Sequence, residues 1–170
     1  SEYEGTVKLH GETVHFMHPN DAIRDGKISK VHQETMVVEE LTVGQNVTLG
    51  YEPKKGLFVD FNKMHKDVDE ILSELNCNFK SRDIVRTLTA GQKQMIAIAK
   101  ALYHHSTIIS LDEPTASLTQ KETEALFAVI EKLKKSGVTI LYVSHHLEEI
   151  FEICDRATVL RDGEFITQLN

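Results

Sequence analysis

The chain has 170 residues, 41% of them hydrophobic and 26% charged, which is the balance of a globular domain rather than a disordered segment. Its 19 Lys and Arg against 26 Asp and Glu leave a net charge of −7. That argues against a nucleic-acid partner, whose phosphates need surface cations, but not against a nucleotide site built from backbone N–H groups and a metal ion.

In chain order, residues 6–9 and 13–16 are β-prone and flank His10, Gly11 and Glu12, which predicts a hairpin. Pro19, Asn20 and Asp21 open a short helix over 22–25, with Gly26 as its C′ residue. Residues 28–31 form a short β-prone run that ends in His32, Gln33 and Glu34. Residues 35–62 are less regular. A short helix begins near 42–47, and Gly50, Pro53 and Gly56 mark a loop. Val68, Ile71, Leu72 and Leu75 make a helical face over 66–75, stopped by Asn76 and Asn78.

Thr89, Ala90, Gly91 and Gln92 fit a capping box, followed by Met95, Ile96, Ile98, Ala99 and Leu102 at helical spacing. Residues 107–111 read as a buried parallel strand, ending in Asp112, Glu113 and Pro114. Thr119 and Glu122 frame a second capping box. Its helix buries Leu126, Phe127, Ile130 and Leu133 and ends at Gly137. Residues 138–143 read as a second buried strand, followed by Ser144, His145, His146 and a helix over 147–154. Asp162 and Gly163 then signal a closing hairpin. Two strands joined by a helix imply a right-handed parallel βαβ unit. The whole of 1–170 reads as one domain: a β-rich part to residue 34, a helical subdomain over 35–100, and a final part from 101. Cys77 and Cys154 stand outside any C-x-x-C pairing and read as reduced thiols. No apolar run approaches the ~20 residues of a membrane helix, and the N-terminus lacks signal-peptide features.

Four places carry chemistry. Adjacent carboxylates at Asp112 and Glu113, at the C-terminal end of a parallel strand, repel each other unless a cation is near. Asp112 then serves Mg²⁺ and Glu113 acts as general base; alternatively, with Pro114 next, they are an acidic start to the following helix. Thr89, Ala90, Gly91 and Gln92 at a helix N-terminus form an anion site, or a plain cap. His145 follows a strand and can meet a phosphate oxygen, or be an exposed loop histidine. Gln33 also follows a strand and can reach a metal or a water, or be a surface glutamine.

Taken together, Gln33, residues 88–92, residues 108–113 and His145 resemble, in order and spacing, the ATP-binding cassette (ABC) ATPases. There they correspond to the Q-loop, the signature motif, Walker B with its catalytic Glu, and the switch His. Residues 31–34, 91–95, 111–119 and 144–150 are similar to the monosaccharide-importer branch, and within it to the first of two tandem cassettes. The resemblance implies an α/β fold: a P-loop NTPase-like core with a parallel sheet, incomplete at the N-terminus, with antiparallel β elements and a helical subdomain.

It also implies ATP and Mg²⁺ as cofactors. Asp112 and Gln33 would serve the metal, with Glu113, Gln33 and His145 in catalysis. Thr89, Ala90, Gly91, Gln92, Ser117 and Thr119 would meet a nucleotide held by a second cassette in a head-to-tail dimer. Further implied partners are transmembrane permease subunits and, indirectly, a periplasmic or extracellular sugar-binding protein, with no nucleic acid. The expected location is the cytoplasmic face of the membrane, as a peripheral subunit.

Two departures stand out. Thr119 replaces the Asp that the family usually has there. The phosphate loop G-x-x-x-x-G-K-[ST] does not occur in the 170 residues. The expectation is a truncated cassette of an active parent ATPase, itself without tight Mg·ATP binding or turnover. It should expose apolar surface and be marginally stable or self-associating. The alternatives are a non-catalytic remnant serving as an interaction module, and an ABC ATPase outside transport.

Overall fold

A computed structural model describes residues 5–32 and 36–169. Its centre is a parallel sheet of three strands, β3 (Ile28–Val31), β6 (Ile108–Asp112) and β7 (Thr139–Val143), in the order β3-β6-β7. The register sets Lys30 beside Ser110 and Asp112 beside Val143, so the strands end together. Before the sheet come β1 (Lys8–Leu9), β2 (Glu12–Thr13) and α1 (Pro19–Arg24). His10 at φ 51° and Gly11 at φ 86° make the two-residue turn between β1 and β2. The strands are shorter than the sequence suggests. The helix starts three residues earlier than expected, where the backbone N–H of His18 donates to Asp21 Oδ2 at 2.9 Å.

Between β3 and β6 lie α2 (Val43–Thr48), β4 (Lys54–Lys55), β5 (Phe58–Val59), α3 (Phe61–Glu74) and α4 (Ala90–Tyr103). The loop expected over 50–56 carries the first strand of a small hairpin. α3 begins five residues before the apolar face announces it, because Asp60 Oδ1 accepts the N–H of Lys63 at 3.0 Å. Thr42, Thr89 and Thr119 each cap a helix with a Gln or Glu three residues on. α5 (Gln120–Lys135) connects β6 to β7 and stops before Gly137, at φ 91°. α6 (Leu147–Ile153) follows β7, and β8 (Ala157–Arg161) pairs with β9 (Glu164–Leu169) around a left-handed Asp162-Gly163 turn.

One buried cluster unites these pieces. Val43, Val47, Val68 and Leu72 meet Ile96 and Ile98 of α4, then Ile109 and Leu111 of β6, then Leu126 and Ile130 of α5. Each such side chain contributes about 1.5–3 kcal/mol by leaving water. β7 corrects the sequence reading. Its apolar run predicts a buried strand, yet Leu141 and Val143 remain 54% and 48% exposed. Ile140 and Tyr142 pack against the core, whereas the other face carries no layer among the described residues. None of the described helices is long and apolar enough to cross a membrane.

Candidate active site

The C-terminal ends of β6 and β7 bring three of the expected residues together. Asp112 is the last residue of β6, and Glu113 follows in a left-handed backbone conformation at φ 44°. A non-glycine residue pays strain there, and such strain collects at functional sites. The N–H of Glu113 donates to Val143 O at 2.8 Å, which prolongs the β6–β7 pairing by one bond. Two residues past Val143, His145 Nδ1 lies 2.9 Å from Glu113 Oε1. Against an ionised carboxylate the Nδ1–H is the donor, which leaves Nε2 free for another partner. The His145 side chain is 64% exposed and that of Glu113 31%, so both are open to a ligand. The ring of His146 lies alongside that of His145, with centroids 4.1 Å apart.

Two residues that sequence reasoning missed complete this corner. Lys30 Nζ lies 3.0 Å from Asp112 Oδ2, because the β3–β6 register sets Lys30 two residues before the level of Asp112 on the neighbouring strand. Glu149 of α6 accepts the hydroxyls of Thr115 at 2.7 Å, Tyr142 at 2.8 Å and Ser144 at 2.9 Å. Burial pulls the Glu149 carboxyl upward, but the three hydroxyl donors outweigh it and hold it below its ordinary range. Burial, and then the Glu149 charge, push the Tyr142 phenol well above its usual value. Glu149 therefore ties the loop after β6, through Thr115, to the loop after β7, through Ser144. The only sequence sign of it was its place within the 144–150 stretch.

Thr89, Ala90, Gly91 and Gln92 open α4 as the capping box requires. Gln92 N–H donates to Thr89 Oγ1 at 3.3 Å, and Thr89 N–H to Gln92 Oε1 at 2.9 Å. Gln92 Nε2 also donates to Asn78 Oδ1 at 3.0 Å. Thr89 and Ala90 are exposed and Gly91 is buried. No hydrogen bond or ion pair among the described residues joins this segment directly to Asp112, Glu113 or His145. Glu122 instead joins this segment to the start of α5, its carboxylate accepting from Thr89 and Thr119. Ser117 is exposed in the turn after Glu113 and Thr115. Gln33 lies outside the described residues.

Residues 1–116 match the ABC transporter family, and the chain belongs to it. It is 46% identical over 162 residues to the galactose/methyl galactoside import ATP-binding protein MglA of Clostridium perfringens, covering 95% of this chain and 31% of that protein. It is 44% identical over 164 residues to the ribose import ATP-binding protein RbsA of Geobacillus kaustophilus, covering 95% and 33%. The chain thus spans about a third of the length of these relatives. Among solved structures, a nucleotide-free ATP-binding cassette from an ABC transporter superposes with a TM-score of 0.83 at 22% identity, over 97% of this chain and 69% of the other. A dimeric ATP-binding cassette in a post-hydrolysis state with ADP and Pi gives 0.78 at 24% identity, over 98% and 73%. These likenesses establish an ABC cassette fold with a parallel sheet.

Proposed function

We propose that the chain is the ATP-hydrolysing, energy-coupling part of a monosaccharide importer. The observation that carries this reading is the Glu113–His145 pair at 2.9 Å, next to Asp112, in a chain 46% identical to a galactose import ATP-binding protein. Among the described residues no group of three or more His, Cys, Asp or Glu side chains is placed to hold a metal by itself. A lone Asp112 carboxylate suits Mg²⁺, which takes one or two carboxylates and completes its shell with phosphate and water oxygens. When bound, the ion neutralises phosphate charge. Glu113 accepts the proton of the attacking water. His145 holds Glu113 through Nδ1–H, and with the ring doubly protonated its Nε2–H donates to a phosphate oxygen. Gln33 serves the metal and the same water.

In this reading Thr89, Ala90, Gly91 and Gln92, with Ser117 and Thr119, face a nucleotide on a second cassette. The helical segment over 35–100 conveys the nucleotide state to permease subunits at the cytoplasmic face of the membrane, and a sugar-binding protein delivers the substrate to them. ATP affinity in such sites comes largely from a phosphate loop, so these 170 residues alone are expected to bind Mg·ATP weakly.

A second reading, a non-catalytic cassette that only binds its partners, is favoured by one observation. The Lys30 ammonium pairs with Asp112 at 3.0 Å, where a metal ion would otherwise sit. One experiment separates the two: these residues replace the matching segment of the Clostridium perfringens relative, and uptake of radiolabelled methyl galactoside is measured in cells lacking that protein. Restored uptake supports the importer ATPase. A chimaera that assembles with its permease and binds ATP but neither hydrolyses it nor transports supports the second reading.

A further inference from the structure

The carboxylate of Glu122 serves two helix N-termini at once. Its Oε2 accepts the backbone N–H of Thr119 at 3.0 Å and the Thr119 hydroxyl at 2.8 Å, which is the reciprocal half of the α5 cap. Its Oε1 turns toward α4, accepting the Thr89 hydroxyl at 2.8 Å and the Gly91 N–H at 3.3 Å. α4 is 14 residues long, so its N-terminus carries the full positive end of the helix dipole. The approach depends on glycine at 91, since a Cβ there would lie 2.8 Å from Cγ, Cδ and Oε1 of Glu122. The backbone N–H of Thr119, the Thr89 and Thr119 hydroxyls and the Gly91 N–H together hold the Glu122 carboxyl down to about 2. An internal anion therefore already fills the place where α4 would accept an external one.

We propose that Glu122 is a resident counter-anion on the α4 N-terminus, which a phosphate group must displace from Thr89 and Gly91 before it can bind there. This rests on the reading of residues 89–92 as a phosphate-facing segment. The geometry makes the exchange local. Oε2 can keep its bonds to Thr119 while Oε1 leaves α4 by side-chain rotation, so neither helix unfolds. Carboxylate and phosphate compete for the same hydroxyl and N–H, and two anions in contact repel each other. Glu122 thus latches the start of α5 to the start of α4 while no phosphate is present, and releases the latch when one arrives. It is a positioning residue: it acts through the groups it occupies.

The test is a titration of the full chain with inorganic phosphate at pH 7, followed by ¹H–¹⁵N spectra of wild type, Glu122→Ala and Glu122→Gln. Gln keeps the size of the side chain and one acceptor oxygen for the α5 cap, and removes the charge. The Ala90 and Gly91 amides should respond to phosphate at about tenfold lower concentration in Glu122→Ala than in wild type, the scale of one charge-assisted hydrogen bond. Glu122→Gln should fall between them, with α3 amides unmoved. Equal phosphate response in wild type and both variants overturns the proposal. So does a Gly91 amide that does not move when Glu122 is removed without phosphate, since the latch is then absent in solution. If Gly91 moves on removal of Glu122 but no form binds phosphate, the phosphate-facing reading of 89–92 fails, and the proposal with it.

Discussion

Thr115 Oγ1 donates to Glu149 Oε1 at 2.7 Å, which fixes the loop behind β6 to the helix behind β7 across 34 positions of sequence. Because Ser144 and Tyr142 donate to the other oxygen, this one carboxylate sets the spacing between the loops that carry Glu113 and His145. Glu149→Ala leaves three hydroxyls without their acceptor and is expected to cost on the order of 1–3 kcal/mol at pH 7. The sign of the pH dependence follows from the lowered carboxyl. The stabilisation is full above the unfolded-state carboxylate value and is lost as pH falls below it, through the lower folded-state value. Urea unfolding at pH 7 and pH 3 should therefore show a wild-type advantage over Glu149→Ala that shrinks in acid. An equal difference at both pH values contradicts this.

His145 is exposed and holds Glu113 by a single hydrogen bond, so its loss should leave the fold almost unchanged. His145→Ala should shift unfolding free energy by no more than about 0.5 kcal/mol. In the chimaera with the galactose importer relative, the same change should slow ATP hydrolysis by on the order of 100-fold. A variant that loses stability and activity together would point to a packing role instead.

The Lys30–Asp112 pair is half exposed, which limits its worth to stability to about 1 kcal/mol or less. Its consequence is expected at the metal. A divalent ion at Asp112 must compete with an ammonium 3.0 Å away. Lys30→Met should therefore raise the apparent Mn²⁺ affinity of the ATP-bound chimaera about threefold, as removal of a largely solvent-screened like charge does. Electron paramagnetic resonance of free Mn²⁺ reads this directly, and unchanged or weaker binding would contradict it.

Leu141 and Val143 expose one face of β7, and an edge strand with apolar side chains invites pairing with another chain. Leu141→Lys should reduce self-association of the chain in sedimentation equilibrium. Its unfolding free energy should change by no more than about 1 kcal/mol, since about half of the residue is already exposed. Self-association unaffected by the change would place the contact elsewhere.

Features written in short segments were legible beforehand. The Thr89–Gln92 and Thr119–Glu122 capping boxes lie where the sequence places them, and Ile109 and Leu111 are buried as an apolar run next to a helix predicts. Glu113 and His145 meet because both follow parallel strands in register. What the sequence hid depends on distance along the chain. Glu122 looks like an ordinary cap residue, and its second role appears only once α4 and α5 pack together. Lys30 reaches Asp112 only through the β3–β6 register. The first turn of α3 was missed because an Asp cap, not an apolar period, starts it. The exposure of β7 follows from which of its faces is covered, and a run of apolar letters does not record that.

We propose Glu113 as the base of an ATPase site. The most direct measurement is single-turnover ATP hydrolysis by the chimaera carrying Glu113→Gln, with ATP affinity measured in parallel. With Glu113 as the base, binding is retained while hydrolysis falls at least about 100-fold, the usual contribution of a positioned general base. Hydrolysis within a few-fold of the unsubstituted chimaera, at equal nucleotide occupancy, would contradict it.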